Sequence, residues 1–395
     1  MEEHIHVSPH NLCPEVGKDI RLPENVTIYD TTLRDGEQMP GVAFTPPQKK
    51  EIALLMDSLK IPQIELGFPT VSEEEFNTIR SITSEGLDAK TLVLSRLIRS
   101  EVDLCVETGA DIVLLFIATS DLHMQYKIKK TAEEINECVE TVVSYAKDRG
   151  VLVSFSTEDT TRSRLDVVHG LNKTAVDAGA RRIGITDTVG CATPEATGHI
   201  VNEIRQRLPP DVVIGLHLHN DFGLALANAF AGLKNGANAI ATTVCGIGER
   251  AGNVPLEEFT VALKLLYGRD IGIDISGFTQ LANKVHEHMG IPLPPRTPLV
   301  GENAFTHESG IHVSATLNHP RTYESISPDM VGNSRRLILG KHSGKGIIEK
   351  RLAQKGIELS QEDICIILRQ IKILGEYKGQ VNDEEFWNIV EMVRK

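Results

Sequence analysis

"DVVIGLHLHNDFGLALANAFAGLKNGANAIATTV", residues 211–244, decides the fold. Its first nine residues form a short apolar run rich in β-branched side chains, the mark of a buried strand. "GLALANAFAGLKNG" continues at helical spacing and stops at Gly236, the residue type that ends helices. "NAIATTV" then starts a second strand. A strand, a helix and a strand in 34 residues make one parallel crossover unit.

The same unit recurs outward in both directions. "VTIYDTT" precedes "PPQKKEIALLMDSL", "PQIELGF" precedes "SEEEFNTIRSI", and "KTLVLSR" precedes "SEVDLCVETG". "DIVLLFIA", "VLVSFST" and "RRIGITD" are each followed by a helical stretch, and "NAIATTV" by "PLEEFTVALKLLYG". Gly109, Gly150 and Gly179 stand at helix ends as Gly236 does, and Ser72 before three glutamates reads as an N-cap. Eight such units between about 26 and 268 give an α/β chain folded as a (β/α)8 TIM barrel. A doubly wound open sheet is the alternative.

Beyond the barrel the pattern changes. "IPLPPRTPLVG" (291–301) is a Pro-rich crossing, and residues 276–290 and 345–395 look helical. The expected division is an N-terminal arm (1–25), a catalytic barrel (26–270) and a mainly helical C-terminal extension (271–395). The extension covers the barrel or pairs subunits, and its "FTHESGIHVSA" and "LGKHSGKG" are more polar than scaffolding needs.

Composition narrows the function. Of 395 residues, 41% are hydrophobic and 24% charged, the balance of a soluble globular chain. A net charge of −13 argues against a nucleic-acid partner, and no apolar run reaches membrane-spanning length. The six cysteines include no CxxC pair, so a disulfide framework or structural zinc is not expected and a reducing cytoplasm fits.

A (β/α)8 barrel carries its chemistry at the C-terminal ends of the strands. There the sequence places Arg34, Asp35, Gln38, Glu65, Ser156, Glu158, Asp159, Asp187, Thr188, His217 and His219, then the loop "GIGERAGN" with Glu249, Arg250 and Asn253. His217 and His219 are two residues apart on a strand and so share a face. With the Asp35 carboxylate they offer two nitrogens and one oxygen to a divalent ion, leaving positions open for substrate. That set suits Zn2+ or Mn2+, and Mg2+ where waters complete the shell. Arg34 adds a fixed charge able to polarise a ketone. The glycine loop offers, weakly, a backbone approach to a phosphate or pantetheine group.

"YDTTLRDGEQMPGVAF", "IELGFP", "STED", "TDTVGCATP", "LHLHNDFGLALAN", "GIGERAGN" and "FTHESGIHVSA" resemble the 2-isopropylmalate, homocitrate and citramalate synthase family of the DRE-TIM metallolyases, over about residues 25–350. The resemblance implies an acyltransferase that condenses acetyl-CoA with a 2-oxo acid and hydrolyses the thioester. It assigns Asp35, His217 and His219, with Asn253 as a further contact, to the metal. It assigns Arg34 to the ketone, Ser156 and Thr188 to the 2-oxo acid, and Glu158 with His312 to acid–base work. His312 and Tyr323 match residues that enter the partner subunit's barrel, which implies a homodimer with shared sites.

Lysine-pathway homocitrate synthases carry a histidine near Leu94 and an arginine near Ser154, and both are missing here. "VLSRLIR" and "SFSTED" are most similar to the homocitrate synthases of archaeal coenzyme biosynthesis and nitrogen fixation. Arg96, two residues past Leu94 on one strand, is expected to face the pocket and meet the distal carboxylate of 2-oxoglutarate. 2-Oxoisovalerate, pyruvate and a hydroxymethylglutaryl-CoA lyase activity are the alternatives.

Overall fold

The computed structural model describes residues 5–18 and 20–394. They form two compact units. The first holds Pro9–Ile275 with Gln280–Pro292; the second holds the described residues up to Ser8, Ser276–Thr279, and the chain from Leu293.

The first unit is a closed barrel of eight parallel strands in sequence order. They are β1 (Thr27–Asp30), β2 (Gln63–Gly67), β3 (Lys90–Arg96), β4 (Ile112–Ala118), β5 (Leu152–Glu158), β6 (Arg182–Asp187), β7 (Val213–Leu218) and β8 (Ala239–Thr242). Closure is direct: Thr27 pairs Ala239 and Asp30 pairs Thr242 across β1 and β8. The alternating helices are α1 (Pro46–Ser58), α2 (Glu73–Thr83), α3 (Arg99–Glu107), α4 (Ala132–Asp148), α5 (Leu165–Ala178), α6 (Pro194–Arg205), α7 (Ala225–Lys234) and α8 (Leu256–Leu265).

Strands buried on both faces explain the near-continuous apolar runs. Tyr29, Leu92, Ile112, Ala239 and Ala241 pack together. Two residues further along, Leu94 and Leu114 line a cavity, as period-two alternation requires. On α4 the buried Ile135, Val139, Val142, Val143 and Ala146 follow helical spacing. Ser72 Oγ accepts from Glu75 N at 3.0 Å, so the read N-cap is present. All four helix-ending glycines have positive φ, where L side chains are strained.

The chain passes from the barrel unit to the second unit after Pro292, with Ser276–Thr279 an earlier excursion into the second unit. Residues 280–289 of α9 (Phe278–Met289) stay with the barrel unit. There Lys284 and His288 pair with Glu51 of α1 at 3.5 and 2.8 Å. The second unit has four helices, α10 (Gly310–Asn318), α11 (Lys345–Gln354), α12 (Gln361–Lys378) and α13 (Asp383–Arg394), and two short strand pairs. Its own core includes Ile347, Ile348, Ile367, Ile371 and Phe386. No helix among the described residues is long and apolar enough to cross a membrane.

Asp30 locks the closure. It is fully buried; Oδ1 accepts from Thr32 N at 2.9 Å and Oδ2 from the Thr242 hydroxyl at 3.1 Å. Burial pushes its carboxyl up to about 6, against the hydrogen bonds from Thr32 and Thr242 that favour the ion. The folded state therefore binds this proton more tightly than the unfolded chain does. The stability held by the neutral form is present at low pH and is lost as pH rises from 3.8 to about 6. Asp30→Asn keeps both partners without a charge, since its amide can donate to the Thr242 hydroxyl. Its Tm should exceed that of the native chain at pH 8, by a margin that shrinks to nothing near pH 4. Calorimetry across that range checks this, and a pH-independent difference would refute it.

Candidate metal and substrate site

The turn after β1 starts the site. Arg34 N and Asp35 N both donate to Thr31 O, at 3.1 and 2.8 Å, which turns the two side chains over the barrel mouth. Thr32 Oγ1 accepts from Val244 N at 2.9 Å and fixes the turn to the chain after β8. Arg34 is oriented by Glu65 at the end of β2: Nε meets Oε1 at 2.9 Å and Nη2 meets Oε2 at 3.3 Å. Glu65 is fully buried and both its oxygens are engaged. Its carboxylate orients the Arg34 guanidinium at the cavity wall. Gln38 Oε1 is 3.4 Å from Arg34 Nη1.

Three ligand atoms converge beside this pair. His217 Nε2 and His219 Nε2 stand 2.9 and 3.1 Å from Asp35 Oδ2, and 3.2 Å from each other. This is the one cluster among the described residues with donors suited to a metal ion. The electrostatics favour the ligating form of two of these groups, Asp35 and His217. Burial opposes ionisation of Asp35, but Arg34 and the two imidazole hydrogen bonds outweigh it and hold the carboxyl well below its usual range. Burial also lowers the pKa of His217, which keeps it neutral.

His219 Nδ1 lies 2.8 Å from Thr188 O, a partner for an Nδ1–H that would leave Nε2 its lone pair for a cation. Arg250 Nη2 is 2.6 Å from the same Nδ1. Without a cation the proton can instead sit on Nε2, facing Asp35. Asp35 Oδ1 and Asn253 Oδ1 are buried acceptors with no hydrogen-bond partner, an arrangement that costs free energy unless a cation answers it. Asn253 is placed by a bridge to His219, and its Nδ2 donates to Ile247 O at 3.2 Å. The residues fit a divalent ion.

The glycine loop has a different explanation from the one its sequence suggests. A Cβ on Gly252 would lie 1.9 Å from Gly246 O, so the glycine is needed by the loop's own fold around Asn253. The loop positions a polar side chain and is no evidence for a phosphate.

The cluster opens into a cavity of about 450 Å3. Arg34, Asp35, Gln38, Glu65, Leu94, Ser156, Glu158, Thr188, His217 and His219 all line it, as the sequence placed them. Ser156 Oγ is 3.1 Å from Thr186 Oγ1, and Thr188 Oγ1 accepts from Asp159 N at 2.9 Å. Arg96 does not line it. Its side chain is 58% exposed and pairs with Glu101 of α3, Nε to Oε1 at 2.7 Å. Strand alternation set its Cα direction, and the helix carboxylate captured the guanidinium.

Phe68, Leu114, Phe116, Lys127 and Thr186 line the cavity unforeseen. β4 is apolar throughout, so periodicity gave no face, and Lys127 lies in a single π-helical turn (Met124–Ile128) outside the repeat. His312 and Tyr323 belong to the second unit, where their rings stack at 4.0 Å.

An HMGL-like family model matches residues 25–285, and a "homocitrate synthase post-HMGL domain-like" model matches 299–379. The chain belongs to this family. It is 48% identical to homocitrate synthase AksA of Methanopyrus kandleri, over 96% of this chain and 95% of that one. It is 44% identical to homocitrate synthase AksA of Methanothermobacter thermautotrophicus, over 98% of both chains. It is also 42% identical to the 2-isopropylmalate synthase of Methanocaldococcus jannaschii, over 98% of this chain and 76% of that one. The crystal structure of hydroxymethylglutaryl-CoA lyase from Pseudomonas aeruginosa shares the barrel, with TM-score 0.62 and 20% identity over 70% of this chain and 97% of that one. Like these synthases, the family member described here is an enzyme.

Metal binding can be measured without turnover. Equilibrium titration with Mn2+ or Zn2+ should find one tight site per chain. Asp35→Asn or His217→Ala should weaken it beyond the ~10–100-fold that loss of an outer partner costs, with circular dichroism unchanged. Native affinity in either variant would rule the cluster out as the site.

Proposed function

We propose that this enzyme condenses acetyl-CoA with a 2-oxo acid, 2-oxoglutarate first among them, to give homocitrate and free CoA. The observation that carries this is the convergence of Arg34 and the Asp35–His217–His219 cluster in one cavity. Relatives named homocitrate synthase, alike over nearly their whole length, point the same way.

A divalent ion on Asp35, His217 and His219, with Asn253 beside them, would polarise the ketone and neutralise the alkoxide formed from it. Arg34, fixed by Glu65, supplies a second positive charge to the same oxygen. Ser156 and Thr188 hold the 2-oxo acid, and Gln38 borders it. Glu158, at the end of β5, works with His312 as the acid–base pair. The methyl carbon of acetyl-CoA loses a proton and bonds to the ketone carbon, whose oxygen is protonated. Water then cleaves the thioester and the CoA thiol leaves.

His312 and Tyr323 act, in this reading, in the partner subunit's barrel, so the working unit is a homodimer of cytoplasmic chains.

A thiol-release assay with acetyl-CoA and a panel of 2-oxo acids tests the reaction. The expected order is 2-oxoglutarate above 2-oxoisovalerate and pyruvate, with loss of activity in Asp35→Asn. Preference for 2-oxoisovalerate would move the chain to isopropylmalate synthesis. Thiol release without any 2-oxo acid would remove the condensation. For the shared site, inactive His312→Ala and Asp35→Ala chains should regain activity when co-expressed as heterodimers. Proven heterodimers that stay inactive would place His312 in cis or outside the chemistry.

A further inference from the structure

The cavity has two unlike walls. Arg34, Asp35, Ser156, Thr186, Thr188, His217 and His219 make a polar side from β1 and β5–β7. Phe68, Leu94, Leu114 and Phe116, carried by β3, β4 and the end of β2, make an apolar side. A 2-oxo acid whose ketone sits at the polar side points its tail along the apolar one. A tail that ends in a carboxylate needs a cation there, because an unpaired charge is costly to desolvate.

Three cations line the cavity: Arg34, Arg250 and Lys127. Arg34 is committed to both Glu65 oxygens and lies 3.6 Å from Asp35 Oδ2. Arg250 is committed to both Asp221 oxygens and to Thr188 O. Lys127 differs. Its ammonium meets one carboxylate oxygen, Glu158 Oε1 at 2.5 Å, and its side chain is half exposed. A lysine ammonium has three donors, so it can keep Glu158 and take a second carboxylate. It also stands on the correct side. It follows β4, which supplies Leu114 and Phe116, and meets Glu158, which pairs with Ala118 at the β4–β5 edge.

The π-helical turn that holds it is followed by Lys129 in the left-handed region, φ 52°. Such turns are uncommon and recur at functional sites.

We propose that Lys127 is the specificity residue that receives the distal carboxylate of a 2-oxo dicarboxylic acid, the role sequence alone gave to Arg96. The inference rests on the proposed reaction and adds the residue that selects its substrate. Lys127 touches substrate at the end remote from the reacting carbons, so its loss acts on binding of dicarboxylates and spares monocarboxylates.

The test compares native protein, Lys127→Met, Lys127→Arg and Arg96→Ala with 2-oxoglutarate and with pyruvate. Lys127→Met should lower kcat/KM for 2-oxoglutarate at least ~10-fold, chiefly through KM, and change pyruvate by less than ~3-fold. Lys127→Arg should recover most of the loss. An unchanged Tm verifies that each variant folds. Equal losses for both substrates would overturn the proposal and make Lys127 a positioning residue for Glu158. A selective loss in Arg96→Ala with none in Lys127→Met would return the role to Arg96.

Calorimetric binding of 2-oxoglutarate and pyruvate to the metal-loaded protein separates the two levels of inference. A native chain that binds 2-oxoglutarate but releases no thiol refutes the reaction, and selective weakening in Lys127→Met still upholds the carboxylate role. A native chain that binds neither overturns both.

Discussion

Asp35 and His219 are 184 residues apart in sequence and 3.1 Å apart in space. Barrel closure creates that proximity, and the candidate chemistry depends on it. β1 pairs with β8 over its whole length, and β8 pairs with β7, so the ends of β1 and β7 flank a single strand. An open sheet with the same strands would leave β1 at an edge and the carboxylate without its imidazoles. Asp30 ties β1 to Thr242 of β8 five residues before Asp35. The latch therefore ends the strand whose following turn carries the ligand.

Behind the ligands lies a layer of buried charge that keeps the turn in place. Lys49 of α1 is almost wholly buried, and its ammonium meets Glu37 and Glu75 at 2.7 Å each. Glu37 in turn accepts from Phe44 N at 2.8 Å. The loop after β1 and the first turn of α2 are thus held by one cation, while Arg34 and Glu65 join the ends of β1 and β2. Buried pairs of this kind add little net stability, but removing one partner costs about 3–5 kcal/mol. They are better understood as fixing geometry. Gly67 belongs to this layer: at φ 150° it brings the backbone so close to Glu75 that a Cβ would lie 1.9 Å from Oε1.

The eight-fold repeat and the metal cluster were legible because each rests on a short-range rule. Helix stops marked by glycine, apolar strand runs and the i, i+2 face of His217 and His219 need no knowledge of the rest of the chain. The same rule failed at Arg96. Alternation fixes where a Cα–Cβ bond points, and a guanidinium reaches several ångströms beyond it. Glu101, five residues on, drew Arg96 to the surface. Glu65 was placed at the barrel mouth, but nothing local says that both its oxygens go to Arg34. Lys127 was invisible for the opposite reason: it sits in an irregular turn after a strand that is apolar on both faces.

These two outcomes follow one physical logic about which charges a site can lend to a substrate. A cation with every donor satisfied by fixed carboxylates is a rigid electrostatic feature. It stabilises charge that develops in place, which suits Arg34 beside a ketone. A cation that must accept a mobile, fully charged group needs spare donors and a cheap existing partner. The Lys127 ammonium is half exposed, so water can attend it while it rearranges toward an incoming carboxylate. Arg34, locked by a buried bidentate pair, cannot do this without losing the geometry it lends to the reaction. The cavity separates the tasks by depth: fixed charge at the buried strand ends and adaptable charge at the rim.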